Sequence, residues 1–128
     1  MSLSLRERQS LFAILKARLV LWIKDQGWCY IEGEGYVGDT DAADGDHDGP
    51  HKAGGAHYTK LGEDGMLFVR GWWDGDVYVG GGYVGIGGTP EWRAIGERWK
   101  ASHELCRWGG DFVSKDDNHL SIEHKGRL

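Results

Sequence analysis

Histidines and carboxylates in two separate stretches of the chain could together bind a metal ion. His57 and Asp64 lie in the first stretch, and the second runs from Asp116 to His119. Two imidazole nitrogens and one carboxylate oxygen are a common protein ligand set for catalytic zinc, which leaves the fourth position for water. A zinc site formed by His57, Asp64 and His119 is therefore one candidate, although spacing alone favours ordinary surface pairs of histidine and aspartate, and neither stretch is specific without the other.

A further carboxylate near these ligands could act as the base in a hydrolysis reaction. Zinc lowers the pKa of water toward about 7, and a nearby carboxylate can then accept the water proton and pass it to a leaving amine. Asp116 lies three residues before His119, which in a regular strand would put the two side chains on opposite faces. The polar run at 116–118 favours a turn that brings both to the metal, and Asp117 competes for the same role.

The stretch at 37–55 is acidic, rich in glycine and without periodicity. Asp44, Asp46 and Asp48 match the start of an EF-hand calcium loop, but Gly55 stands where that loop needs a bidentate glutamate. Loops this long inside a compact domain are usually functional or mobile. A solvated loop is the simpler interpretation, and a weak calcium site or an active-site lid is the alternative.

Length and charge limit the class of protein. The chain has 128 residues, which fits a single domain over residues 1–128. A formal net charge of −5 argues against general nucleic-acid binding. The longest apolar run, at 11–23, is interrupted by Lys16 and Arg18, so no membrane insertion is expected, and the N-terminus predicts no signal peptide. We therefore expect synthesis and folding in the cytoplasm.

Helical and strand periodicities both occur, which indicates a mixed α and β architecture. The pattern predicts helices at 4–26 and from Pro90 to about 101, with Thr89 as the cap of the second. Strands are predicted at 28–36, 65–70, 76–80, 106–113 and 119–124, with a hairpin turn at Asp74-Gly75 and a loop over 80–88. The two cysteines, Cys29 and Cys106, are expected to be free thiols; a disulfide between them and Cys-His catalysis remain open alternatives.

Three blocks of sequence resemble the zinc peptidoglycan peptidases of the D-alanyl-D-alanine carboxypeptidase and L-alanyl-D-glutamate endopeptidase family, in its phage endolysin form. The segment 56–68, AHYTKLGEDGMLF, is similar to the Ser-x-His-x6-Asp block of the family. The segment 95–99, IGERW, resembles its short helix before the last strands. CRWGGDF at 106–112 and DDNHLSIEH at 116–124 resemble its closing Trp-Gly-Gly and Asp-x-x-His block.

The resemblance implies a fold, a site and a substrate. The fold would be α+β of the Hedgehog/DD-peptidase-like type, with a small antiparallel sheet flanked by helices. His57, Asp64 and His119 would bind zinc, and Asp116 would be the catalytic base. The substrate would be the stem peptide of bacterial peptidoglycan, cut at L-Ala–D-Glu or at a D-Ala–D-Ala-type bond. The enzyme would act as a monomer on the cell wall once the host membrane is opened.

One family position is changed in this chain. Many members carry an arginine after the aromatic residue of a Gly-Glu-x-Tyr segment, where it helps bind the substrate or the developing oxyanion, whereas Val37 follows Tyr36 here. Lys60 and His51 are the candidate replacements. The alternative to an enzyme is a non-catalytic binding or structural domain stabilised by calcium or zinc, such as a component of a phage particle.

Overall fold

The computed structural model describes residues 2–33 and 61–125. These residues form two α-helices and two small antiparallel sheets, so the protein has a small α+β fold. The elements in chain order are α1 (Leu5–Asp25), β1 (Cys29–Ile31), β2 (Gly62–Asp64), β3 (Met66–Asp74), β4 (Val77–Tyr83), α2 (Pro90–Ser102), β5 (Cys106–Trp108), a 3-10 helix (Gly109–Asp111) and β6 (His119–Ile122).

Helix α1 begins and ends within one residue of the predicted bounds. Ser4 and Glu7 form a capping box, in which each side chain accepts a hydrogen bond from the backbone of the other. Gly27 follows the last turn with a φ of +84°, a conformation that glycine adopts without strain. One face of the helix is buried against the core, namely Phe12, Leu15, Leu19 and Ile23.

The first sheet, sheet A, has the strand order β1-β3-β4. Its hairpin turn lies one residue later than predicted, because Asp74 pairs with Val77 and the two-residue loop is Gly75-Asp76. Gly75 has a φ of +61°, which matches a turn with glycine in the first central position. The predicted loop over 80–88 was also wrong in part: the ladder continues to Tyr83, which pairs with Phe68.

The second sheet, sheet B, has the order β2-β6-β5, so the predicted single sheet is two sheets. The central strand β6 pairs with both neighbours, through Asp64 opposite His119 and Cys106 opposite Ile122. The predicted strand at 106–113 ends at Trp108 because the two glycines that follow turn the chain into the 3-10 helix. All four residues of β6 are buried.

The core lies between the two helices and the sheets. Trp99 of α2 packs edge-on against Phe12 of α1, with ring centroids 5.6 Å apart. Its indole nitrogen donates to the carbonyl oxygens of Arg107 at 3.0 Å and Ser121 at 3.1 Å, which ties α2 to sheet B. Other fully or nearly fully buried apolar residues are Ile23, Leu61, Leu67, Trp92, Ile95, Leu120 and Ile122.

Both cysteines are free thiols, as expected. Cys29 in β1 is half-buried and Cys106 in β5 is buried. Burial raises the pKa of the Cys106 thiol to about 12. A protonated, enclosed thiol is a poor nucleophile, which argues against the Cys-His alternative.

Candidate metal centre

Strand pairing in sheet B brings Asp64 and His119 together across 55 positions of sequence. The two residues are direct partners in the β2–β6 ladder. Directly opposed residues place their side chains on the same face of an antiparallel pair. The His119 Nδ1 and Asp64 Oδ1 atoms accordingly lie 3.0 Å apart, with the imidazole nearly buried and the carboxylate partly exposed.

A tight turn adds Asp116 to this pair. The His119 amide donates to the Asp116 carbonyl oxygen at 2.9 Å, and the Asp116 amide donates to the Gly109 carbonyl oxygen at 2.9 Å. Gly109 allows this approach, since a Cβ atom at that position would overlap the Asp116 carbonyl group. The turn that the polar run predicted therefore exists, and it overcomes the strand alternation that would have separated Asp116 from His119.

One ligand atom from each of Asp64, Asp116 and His119 lies within 4.8 Å of the other two. Two donors on one zinc ion, each about 2.1 Å from it, are at most about 4.2 Å apart, so the group could close on an ion with small side-chain movements. His119 and Asp64 are hydrogen-bonded to each other, and both belong to the group of side chains that could bind a cation. One imidazole nitrogen and two carboxylates suit zinc and also harder divalent ions. The group could therefore hold a metal ion.

Asp117 is directed away from this group. It is 5% exposed, and its Oδ2 atom accepts a hydrogen bond of 2.8 Å from the Gly88 amide. Its carbonyl oxygen accepts from the Trp108 indole nitrogen at 2.6 Å. The Asp117 carboxylate thus holds the turn to the loop before α2, and Asp116 is the carboxylate that reaches His119.

Asn118 connects the same turn to the residue after Asp64. Its carbonyl oxygen accepts a hydrogen bond of 3.0 Å from the Gly65 amide. Its side-chain amide donates back to the Gly65 carbonyl oxygen at 2.9 Å. This two-way link fixes the end of β2 against the start of β6, and therefore fixes Asp64 relative to His119.

An aromatic ring lies beside the histidine. The Phe112 ring lies 5.4 Å from the His119 imidazole, measured between centroids. An apolar neighbour limits the rotations open to the imidazole and lowers the local dielectric, which strengthens nearby charge interactions.

A buried polar group lies directly behind Asp64. Glu63 is 3% exposed, and it accepts a hydrogen bond from the Tyr30 hydroxyl and forms an ion pair of 3.0 Å with Lys16. Lys16 also pairs with the exposed Glu32. Burial, followed by the charge of Glu63, raises the pKa of Tyr30 well above its usual value. Burial alone would lower the pKa of Lys16, but Glu32 and Glu63 together outweigh it and raise that pKa.

The remaining predicted site residues lie outside the described part of the chain. They are the expected zinc ligand His57, the candidate substrate-binding residues His51 and Lys60, and the possible calcium ligands Asp44, Asp46 and Asp48. The structure therefore brings together Asp64, Asp116 and His119 from the predicted set.

No family model and no curated protein sequence matches this chain. The family resemblance accordingly stands on the motifs themselves. In the described ranges, no helix combines the length and the apolar character that crossing a membrane requires.

Sequence reasoning missed the supporting residues of the site. Glu63 and Asn118 have polar side chains with no motif of their own, and Tyr30 was only one residue of a predicted strand. Their partners are far away in sequence, 33 positions for Tyr30 and Glu63 and 53 for Asn118 and Gly65. No local pattern marks these residues, because their burial and pairing depend on which distant strands meet.

Proposed function

We propose that this protein is a zinc-dependent peptidase that hydrolyses a peptide bond in the stem peptide of bacterial peptidoglycan. The proposed reaction is that of an L-alanyl-D-glutamate endopeptidase or of a D,D- or L,D-carboxypeptidase, in a fold of the Hedgehog/DD-peptidase-like type. The observation that carries the proposal is the convergence of Asp64, Asp116 and His119. These three come from the two motif blocks that the family resemblance marks as functional.

The chemistry divides between a metal ion and the side chains of this chain. Asp64 and His119, with His57 from the preceding block, would hold the ion. A bound zinc supplies a Lewis acid that polarises a carbonyl and lowers the pKa of water. Asp116 accepts the proton of the attacking water and delivers it to the leaving nitrogen. This role requires a carboxylate within hydrogen-bond reach of the reacting atoms, which the turn at Gly109 and His119 supports.

The rest of the proposed biology follows from the same family resemblance. The protein would be a phage lysis enzyme that is made in the host cytoplasm and works as a monomer. It would reach the cell wall when the inner membrane is opened. It would need no nucleic-acid partner, in keeping with its net charge of −5.

The first test is mass spectrometry of peptides released from purified peptidoglycan, with the protein stripped of metal and then supplied with zinc or calcium. We expect release with zinc, and loss of release when a chelator is added. The fragment masses separate an endopeptidase, which frees stem peptides, from a carboxypeptidase, which frees single D-amino acids. Absence of any release with either ion would contradict the enzyme proposal and favour the non-catalytic metal-stabilised protein.

The second test assigns the base. Asp116→Asn should reduce hydrolysis by about 100-fold or more, since a positioned general base contributes roughly 10²–10⁴-fold. Zinc binding should persist in this variant, because the proposed ligands are Asp64, His119 and His57. Asp76→Asn is the matched control, since this fully exposed carboxylate on the hairpin turn pairs only loosely with Lys24, at 3.5 Å. Equal activity in the two variants would remove Asp116 from the mechanism.

A further inference from the structure

Tyr30 contacts the residues on both sides of Asp64. Its hydroxyl donates to the buried carboxylate of Glu63, one position before Asp64. Its ring lies so close to Gly65, one position after Asp64, that a Cβ atom on Gly65 would overlap the ring. The same side chain therefore restrains the backbone immediately before and immediately after an expected metal ligand.

Tyr30 is itself firmly held. It pairs with Leu67 in the β1–β3 ladder, and it is 8% exposed. The fully buried Trp92 of α2 packs edge-on against its ring, with centroids 6.3 Å apart. A side chain with these contacts has little rotational freedom, so it can act as a fixed support for the segment that it touches.

Strand β2 needs such support. It has three residues and pairs with β6 along one edge. A short strand held by few ladder hydrogen bonds can shift, and a shift of one residue would turn Asp64 to the opposite face. The Glu63 carboxylate, bound by Tyr30 of β1 and by Lys16 of α1, opposes that shift.

We propose that Tyr30 is a positioning residue of the metal centre, holding the segment 63–65 so that Asp64 stays in register with His119. This inference rests on the proposed function, since it requires Asp64 and His119 to bind a metal. Tyr30 acts through Glu63 and Gly65, and takes no part in the chemical step.

The test compares Tyr30→Phe with Tyr78→Phe by zinc titration against a chromophoric chelator. Tyr78 is a matched control, because its hydroxyl is also hydrogen-bonded, accepting from the Gly71 amide at 2.9 Å and donating to the Gly27 carbonyl oxygen at 2.8 Å, but at the far end of sheet A. Tyr30→Phe should weaken zinc binding by about 10-fold, the lower end of what partners outside the ligand shell usually cost. Tyr78→Phe should change it by less than about 2-fold, although both variants lose hydrogen bonds and unfold more easily.

The direction of the change in zinc affinity distinguishes a positioning role of Tyr30 from a purely electrostatic one. Removing the hydroxyl leaves the negative charge of Glu63 less compensated, and a purely electrostatic role would make cation binding tighter. Gly65→Ala gives an independent check, since it keeps the hydroxyl but pushes the Tyr30 ring away, and it should also weaken zinc binding.

The outcomes are distinguishable. If the unmodified protein binds no zinc, both the proposed function and the role of Tyr30 are overturned. If it binds zinc and releases peptides, while Tyr30→Phe binds zinc as well as Tyr78→Phe does, the positioning role alone is overturned.

Discussion

Sheet A and sheet B are built from the same number of strands but differ in almost every other respect. Sheet A contains the long hairpin, with strands of nine and seven residues, and it exposes Trp72, Tyr83 and Met66. Sheet B is made of strands of three or four residues, and its central strand is buried at every position. The candidate metal centre lies in sheet B, in the part with the least regular structure.

The difference teaches that side-chain anchors, more than ladder length, hold a site in place. Sheet B is tied from outside by the indole of Trp99 to two of its carbonyl oxygens, and by Asn118 to Gly65. The hairpin of sheet A also has side-chain ties, from the Tyr78 hydroxyl to the Gly27 carbonyl oxygen and from the Trp73 indole nitrogen to the Trp28 carbonyl oxygen, but its longer ladder of strand hydrogen bonds defines it as well. Its exposed side chains can therefore change with little effect on the rest of the molecule.

The sharpest test of this contrast is a pair of alanine variants, one in each sheet. His119→Ala should weaken zinc binding by more than about 100-fold, since even partners outside the ligand shell cost about 10–100-fold, and hydrolysis should be lost with it. Tyr83→Ala, at an exposed position, should leave both unchanged. Titration with zinc and the peptide-release assay give the two readouts, and strong zinc binding by His119→Ala would place the metal elsewhere.

A second pair compares the stability that each sheet draws from tryptophan. Trp99→Ala should lower the free energy of unfolding by about 3–5 kcal/mol, because it empties a fully buried position and removes the indole donor shared by two carbonyl oxygens. Trp72→Ala, at a position 61% exposed, should change it by less than about 0.5 kcal/mol. Urea denaturation followed by far-UV circular dichroism measures both. Similar losses in the two variants would mean that the exposed face of sheet A stabilises the fold as much as the buried Trp99 does.

A variant of Asp117 tests whether the turn that joins Asp116 to His119 depends on the buried Asp117 carboxylate. Asp117→Ala removes the carboxylate acceptor of the Gly88 amide, which keeps only its 3.2 Å hydrogen bond to the Ile86 carbonyl oxygen, and this should cost about 1–3 kcal/mol of unfolding free energy. Peptide release should fall as well, because Asp116 is the neighbouring residue in the same turn. Asp76→Ala on the sheet A hairpin is the control and should affect neither. Unchanged release by Asp117→Ala would show that the turn holds without the anchor.

The smallest expected effect concerns the reactivity of the two thiols, Cys29 in sheet A and Cys106 in sheet B. With a pKa of about 12, roughly one Cys106 thiol in 10⁴ is ionised at pH 8, so a disulfide reagent should modify Cys29 first. Between pH 8 and 11 the reaction of Cys106 should rise by about tenfold per pH unit, because its thiolate fraction rises in that proportion. Cys29→Ser and Cys106→Ser variants identify each phase. Equal rates at pH 8 would show that sheet B opens as readily as sheet A.

Local sequence signals were sufficient to predict the two helices and the turn at 116–118 in the candidate metal centre. The caps at Ser4 and Thr89 mark both helix starts, and the polar run at 116–118 indicates the turn that joins Asp116 to His119. The division into two sheets could not be read from the sequence, because it depends on which distant strands pair. The exact hairpin turn was missed because Asp74-Gly75 and Gly75-Asp76 are both acceptable turn dipeptides. The Tyr30–Glu63–Lys16 group was missed because burial of a charge has no local signature.

The direct pairing of Asp64 with His119 also has a consequence for the order of folding. Closing the 55-residue separation between them costs chain entropy before any contact across it is gained. Partly folded states that lack the β2–β6 ladder have no complete cation site. A bound cation should therefore stabilise the finished fold and slow its unfolding, while leaving the rate of folding nearly unchanged.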